Sequence, residues 1–269
     1  MRRVLTCRVT PRDVDQRQGS VLSRSGAGTS GGTALRQGML WWMLIGCVDD
    51  AALAEQMERS LQVANEAVPL ALVSAELFRW ADAPPTTGLR HGTECGCPCR
   101  DALSEQELQL DYHELGCFPD SDLLPYPIRG VTTLVLDEQG AAASPEGLVL
   151  DRRLALGGEL YGTDERVTGE LSLGPTEATI DLQVRYGEVD VQLDGIVVTP
   201  TGRATLRGLV LPLDDIFGAC PLPASGTIEV EAPDGVAVVR PVGDGEVESA
   251  YLERVSDRTA WCAWAPTWW

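Results

Sequence analysis

The chain has 269 residues, with 40 acidic against 21 basic side chains and a formal net charge of −19. Every basic residue is an arginine, which excludes a Schiff-base lysine, a P-loop lysine and a Ser-x-x-Lys nucleophile. From Cys47 onward 14 arginines face 38 acids, a balance of −24, and so acidic a body is repelled by phosphate backbones and anionic headgroups, which argues against a nucleic-acid partner.

In chain order, residues 1–38 are polar, and 19–38 are rich in Ser, Gly and Thr. Such a segment buries too little apolar surface to offset the entropy of ordering it. Residues 39–47 then read Met-Leu-Trp-Trp-Met-Leu-Ile-Gly-Cys. The run is shorter than the about 20 apolar residues of a membrane span and fits the hydrophobic core of an export signal. Its plain alternative is a short buried segment. Leu44-Ile45-Gly46-Cys47 resembles the lipobox of bacterial lipoproteins. The resemblance implies a leader and signal segment over 1–46, lipidation of Cys47, and a membrane contact made through that lipid. Val48 rather than aspartate follows the cysteine, which within such a family implies the outer membrane.

Residues 47–88 read as the anchor followed by an amphipathic helix. Asp49 and Asp50 lead into Ala51-Ala52-Leu53-Ala54, a helix start favoured by capping and by carboxylates at the positive end of the dipole. Leu53, Met57, Leu61, Ala64 and Val68 recur at spacings of three and four and form one apolar stripe. The pattern predicts a helix laid on the main body. Pro69 is expected to kink or divide it, with Leu72, Val73, Leu77 and Trp80 continuing the stripe and Pro84-Pro85 ending it.

Residues 89–123 read as a Cys-rich linker. Setting aside Cys7 and Cys47 leaves Cys95, Cys97, Cys99, Cys117, Cys220 and Cys262. An even set in an exported chain predicts disulfides. Cysteines only two positions apart bridge poorly, so at least one of Cys95, Cys97 and Cys99 pairs outside the cluster. Cys117 is the nearest partner, and Cys220 with Cys262 is a second candidate pair. The alternative is a metal site for Zn²⁺ or Cu⁺ built from His91, Cys95, Cys97, Cys99, His113 and Cys117, since thiolate and imidazole are soft ligands. His91 and His113 are the only histidines and each lies four residues before a cysteine. The C-x-C-x-C spacing is not that of an ordinary zinc knuckle, and no cofactor is assigned.

Residues 124–259 change to period two. Ile180, Leu182 and Val184 alternate with polar residues, as do Val189, Val191 and Leu193, and Tyr186-Gly187 between them reads as a hairpin connection. Further strands are predicted at 132–136, 148–150, 170–173, 196–199, 205–211, 227–230 and 236–240. Turns are expected at Gly140, Gly157-Gly158, Gly174-Pro175, Pro200-Thr201-Gly202 and Asp234-Gly235. The fold class is therefore mainly β: an antiparallel sandwich, barrel or curved sheet with an N-terminal amphipathic helix. Asp190, Gln192 and Asp194 read as a solvated face. Pro125-Tyr126-Pro127-Ile128-Arg129-Gly130 and Pro221-Leu222-Pro223-Ala224-Ser225-Gly226 share a P-x-P-x-x-G strand entry.

Residues 260–269 form a Trp-rich tail with Trp261, Trp264, Trp268 and Trp269, expected to dock on the β body because each ring has about 150–250 Å² to bury. The chain contains no G-x-S-x-G elbow, H-E-x-x-H helix or glycine-rich phosphate loop, and no catalytic residue is named. The expectation is a cell-envelope lipoprotein with a binding or structural role. Its alternatives are an exported metal-binding protein using the His/Cys segment and a secreted carboxylate hydrolase, which requires a cleft with two facing acids.

Overall fold

A single 29-residue helix, α1 (Asp50–Phe78), precedes a long antiparallel meander in the computed structural model. The residues described are 50–81, 95–119, 124, 126–213, 223–252, 254–256 and 258–261. The lipobox, Pro84-Pro85, His91, Cys220, Cys262 and the tail beyond Trp261 lie outside them. None of the described helices is long and apolar enough to cross a membrane. Residues 54–269 form one unit.

The helix is more deeply placed than its stripe predicts. Over residues 60–78 every side chain but Gln62 is buried, so this part of α1 is covered on all sides, whereas over 51–59 only Leu53 and Met57 are buried, as the stripe predicts. An apolar helix of this kind, rich in Ala, Leu and Val, belongs inside a core. Ser60, Asn65, Glu66, Ser74 and Glu76 are buried with it, and buried polar groups need partners. The Ser60 and Ser74 hydroxyls donate to the carbonyl oxygens of Gln56 and Leu70, at 2.7 and 2.8 Å. The Asn65 amide donates to the Trp261 carbonyl at 3.2 Å. Pro69 lies within α1 and does not divide it. The tertiary packing around 60–78 outweighs the lost backbone bond to Asn65.

Around α1 run β1 (Cys99–Ala102), β2 (Glu107–Asp111), β3 (Ile128–Arg129), β4 (Val131–Leu136), β5 (Ala141–Ala143), β6 (Val149–Leu150), β7 (Leu154–Gly162) and β8 (Arg166–Leu173). They are followed by β9 (Thr176–Tyr186), β10 (Asp190–Thr199), β11 (Gly202–Pro212), β12 (Ser225–Ala232), β13 (Gly235–Gly243), β14 (Glu246–Tyr251), β15 (Arg254–Val255) and β16 (Thr259–Ala260). The ladder order is β1-β2-β4-β5-β7-β8-β9-β10-β11-β12-β13-β14-β15, with β3 and β6 joined to it through β7 and β16 paired to β14. Residues from both ends and the middle of this order touch the helix. Tyr112 follows β2, Tyr186 ends β9, Thr199 and Thr201 stand at the β10–β11 turn and Trp261 follows β16, and each bonds a residue of α1. A sheet meeting one helix at such distant strands is curved around it.

Alternation does the rest. In β9, Ala178, Ile180, Leu182 and Val184 are buried while Glu177, Thr179, Asp181, Gln183 and Arg185 are exposed. The inner row packs into the same core as α1, and each fully buried aliphatic chain contributes about 1.5–3 kcal/mol. The segments 189–193 and 196–199 are one strand, β10, rather than two, and Val189 lies outside it, 68% exposed. Gly157-Gly158 is not a turn but the middle of β7. In β11 a bulge at Arg207-Gly208 puts one extra residue opposite β10 and β12. The buried set therefore passes from Ala204 and Leu206 to Leu209 and Leu211.

The two P-x-P-x-x-G entries end alike. Gly130 and Gly226 have φ of 106° and 97°, and a Cβ at either would run into a carbonyl oxygen, that of Gly147 or Gly208. Glycine is required at both by backbone conformation and by the close approach.

Candidate functional site

Two cysteine pairs stand at the start of the sheet. Cys97 pairs with Cys117 across 20 positions, with Cα atoms 6.0 Å apart, and Cys95 pairs with Cys99 across four, at 5.2 Å. One member of the C-x-C-x-C cluster thus pairs outside it, with Cys117. Cys97 is 5% exposed, whereas Cys95, Cys99 and Cys117 are half-buried. The bridges sit where β1 begins and where the chain leaves β2, so residues 89–123, expected as a linker, contain two strands of the sheet.

His113 stands against the shorter pair. Its Nε2 lies 3.8 Å from Cys99 Sγ and 3.3 Å from the Gly96 carbonyl oxygen. Ligand atoms of Cys95, Cys99 and His113 all lie within 4.8 Å of one another. The six candidate ligands therefore separate: Cys97 and Cys117 are joined, three others converge, and His91 is outside the described residues. The backbone holds His113 at φ 63°, a conformation uncommon for a residue with a side chain. Its N–H donates to Asp111 Oδ1 at 2.7 Å, and its carbonyl accepts from Gly116 and Gly130 at 3.1 and 3.3 Å.

Next to this cluster, the C-terminal end of α1 carries a polar knot that no sequence motif announces. Glu76 is fully buried. Its Oε1 accepts from Trp80 Nε1 at 2.9 Å and from the Tyr112 hydroxyl at 3.4 Å. Arg79 lies 5.2 Å above the Tyr186 ring and 5.8 Å from Trp80, and Arg100 of β1 covers Trp80 at 4.8 Å. These distances suit cation–π attraction. Burial, and then the Glu76 carboxylate, push the Tyr112 phenol well above its ordinary pKa, and burial does the same for Tyr186. The available signal was the i, i+4 spacing of Glu76 and Trp80.

The Asp190, Gln192 and Asp194 row lies half-buried on the outer face. Asp194 has a structural task there: Oδ1 accepts the Gly208 N–H at 2.6 Å, satisfying the bulge, and Oδ2 accepts from Gln192 at 3.2 Å. The outer face also bears a depression of about 750 Å³ lined by Val131, Thr133, Val135, Ala142, Tyr161 and Thr168, among others. Glu146 and Glu159 stand at its edge, and Val135 is 50% exposed. Comparison with known proteins gives no relative: no family model matches this chain, nor does any curated protein or solved structure.

Proposed function

We propose that the protein is a lipid-anchored cell-envelope protein whose β body is a disulfide-stapled scaffold with a binding or structural role. The observation that carries this reading is the pairing of Cys97 with Cys117 and of Cys95 with Cys99, because such bridges persist in oxidising compartments. The lipobox at Leu44-Ile45-Gly46-Cys47 supplies the anchor, and the membrane is the partner reached through it, with the outer membrane favoured by Val48. The interior of the curved sheet is filled by α1. Any binding role then falls to the outer surface, where the depression around Val131, Val135 and Tyr161 is lined by apolar and polar groups together, Thr133, Thr168 and Glu159 among them.

The test is Cys47→Ser in cells fed a labelled fatty acid. Loss of the label and release from the membrane fraction are expected. Unchanged attachment, or a mature protein that still begins at Met1, counts against the reading. A second reading, metal binding, is favoured by the convergence of Cys95, Cys99 and His113.

A further inference from the structure

We propose that Cys95, Cys99 and His113 form a reduction-gated site for a thiolate-seeking cation, Zn²⁺ or Cu⁺, while Cys97–Cys117 remains a fixed staple. The proposal deepens the metal-binding reading, and in an oxidising compartment it requires a dithiol reductant to reach the Cys95–Cys99 bridge.

The geometry separates the two cysteine pairs by accessibility. Cys97 is buried at 5% exposure, whereas its partner Cys117 and both members of the short pair are half-buried. Thiol–disulfide exchange needs an attacking thiolate to reach a sulfur, and the short pair offers two accessible sulfurs where the long pair offers one, which favours its opening first. Its closure also constrains the unfolded chain least, since it spans four positions rather than 20.

The third ligand is close by: Nε2 faces the Gly96 carbonyl oxygen at 3.3 Å, and to ligate it gives up that contact and carries its proton on Nδ1. In a tetrahedral site with metal–sulfur and metal–nitrogen bonds of about 2.3 and 2.0 Å, sulfur and nitrogen lie about 3.5 Å apart. Cys99 Sγ and His113 Nε2 are 3.8 Å apart. Nothing in the backbone of His113 has to move, because its N–H and its carbonyl are both tied down. The left-handed φ of 63° is the kind of conformation that persists where surrounding structure enforces it, often at ligand sites. The surplus of 38 acids over 14 arginines in the chain from Cys47 draws cations toward it.

The chemistry balances with a dithiol as reductant. One thiolate of the dithiol attacks the Cys95–Cys99 bond, forming a mixed disulfide and releasing one cysteine; its second thiolate attacks that mixed disulfide, so the reductant leaves as a disulfide and both cysteines are thiols. A divalent cation then replaces both thiol protons, which go to solvent, and takes neutral His113 as its third ligand. Zn²⁺ keeps one position open for water or substrate. Cu⁺ is satisfied by the three soft ligands.

The test uses the mature chain from Cys47, oxidised and after mild dithiol treatment, with the reductant removed anaerobically. Two more thiols should titrate after mild treatment than before it, mapped by alkylation to Cys95 and Cys99. That form should bind one Zn²⁺ or one Cu⁺ in competition with a chromogenic chelator, and the oxidised form neither. Co²⁺ should give a sulfur-to-metal charge-transfer band only in the reduced form. His113→Ala should weaken the site at least about tenfold, the scale at which even outer-shell changes are felt. Comparing the same chain in two redox states keeps the test decisive even where a cysteine variant folds poorly. Equal metal uptake by both forms, binding that needs Cys97 and Cys117 reduced, or indifference to His113→Ala would overturn the proposal.

Discussion

The Tyr186 hydroxyl donates a 2.7 Å hydrogen bond to the carbonyl oxygen of Ala75, a residue 111 positions earlier. The same oxygen accepts the Arg79 N–H at 3.0 Å, so the end of β9 is pinned to the last turn of α1. Tyr186→Phe keeps the ring and its contact with Arg79 and removes only the bond. It should lower stability by about 1 kcal/mol, read as a lower urea midpoint at unchanged slope. An unchanged midpoint would show that the bond contributes nothing in solution.

Alkaline pH should weaken the fold through the same end of the helix. The folded pKa values of Tyr112 and Tyr186 are raised, so above about pH 10, the ordinary tyrosine value, the unfolded chain releases protons that the folded chain retains. The stabilisation is complete below that pH and is lost as pH rises toward the folded values. Urea midpoints of wild type should fall more steeply above pH 10 than those of Tyr112→Phe/Tyr186→Phe. Parallel decline in the two proteins would refute this.

Gly195 sits in β10 at φ 141°, and a Cβ there would run into the Asp181 carbonyl oxygen across the ladder. Gly245 has φ 79° with nothing near its missing Cβ. Gly245→Ala should cost about 1 kcal/mol, the low end of backbone strain, and Gly195→Ala about 3 kcal/mol or more, since clash adds to strain. Thermal unfolding of the two variants checks the order. Equal costs would mean that the strands separate without penalty at Asp181.

Removing the long bridge by Cys97→Ser/Cys117→Ser should cost about 3 kcal/mol on chain-entropy grounds for a loop near 20 residues, whereas Cys95→Ser/Cys99→Ser should cost clearly less. Denaturation midpoints of both double variants make the comparison. A larger loss from the short pair would reverse the structural roles assigned to the two bridges.

The outer sheet was legible because one face is wet. Ile180, Leu182 and Val184 alternate with charged and polar neighbours, and β9 contains all of them. Glycines misled where they served close packing: Gly157-Gly158 read as a turn and Gly195 hid inside one long strand, since sequence does not distinguish a glycine that turns the chain from one that admits a neighbouring carbonyl. β1 was missed because Cys99-Arg100-Asp101-Ala102 has no alternation, being half-buried or exposed throughout, whereas β2 does alternate, with Leu108 and Leu110 buried, but at five residues inside a Cys-rich segment it reads as linker. The stripe of α1 was correct as far as it went, yet it gave no sign that Glu66 and Glu76 are buried. Thr199, Thr201 and Tyr112 meet them from elsewhere in the chain, and Trp80 meets Glu76 from one turn on. In the candidate site, the outside partner of the cysteine cluster followed from bond geometry. The approach of His113 to Cys99 depends on the fold of β1 against β2 and has no local signature.

The innermost element of the molecule is also among the first to be made. Residues 60–78 emerge before any of the strands that enclose them, so during synthesis or export this segment has no native cover until contacts reach it from as far away as Trp261. Chains of such high contact order mature slowly and expose sticky intermediates. Polypeptides stopped short of β14 would carry a greasy helix with an unfinished wrap, and quality-control proteases and holding chaperones would meet them first at that helix.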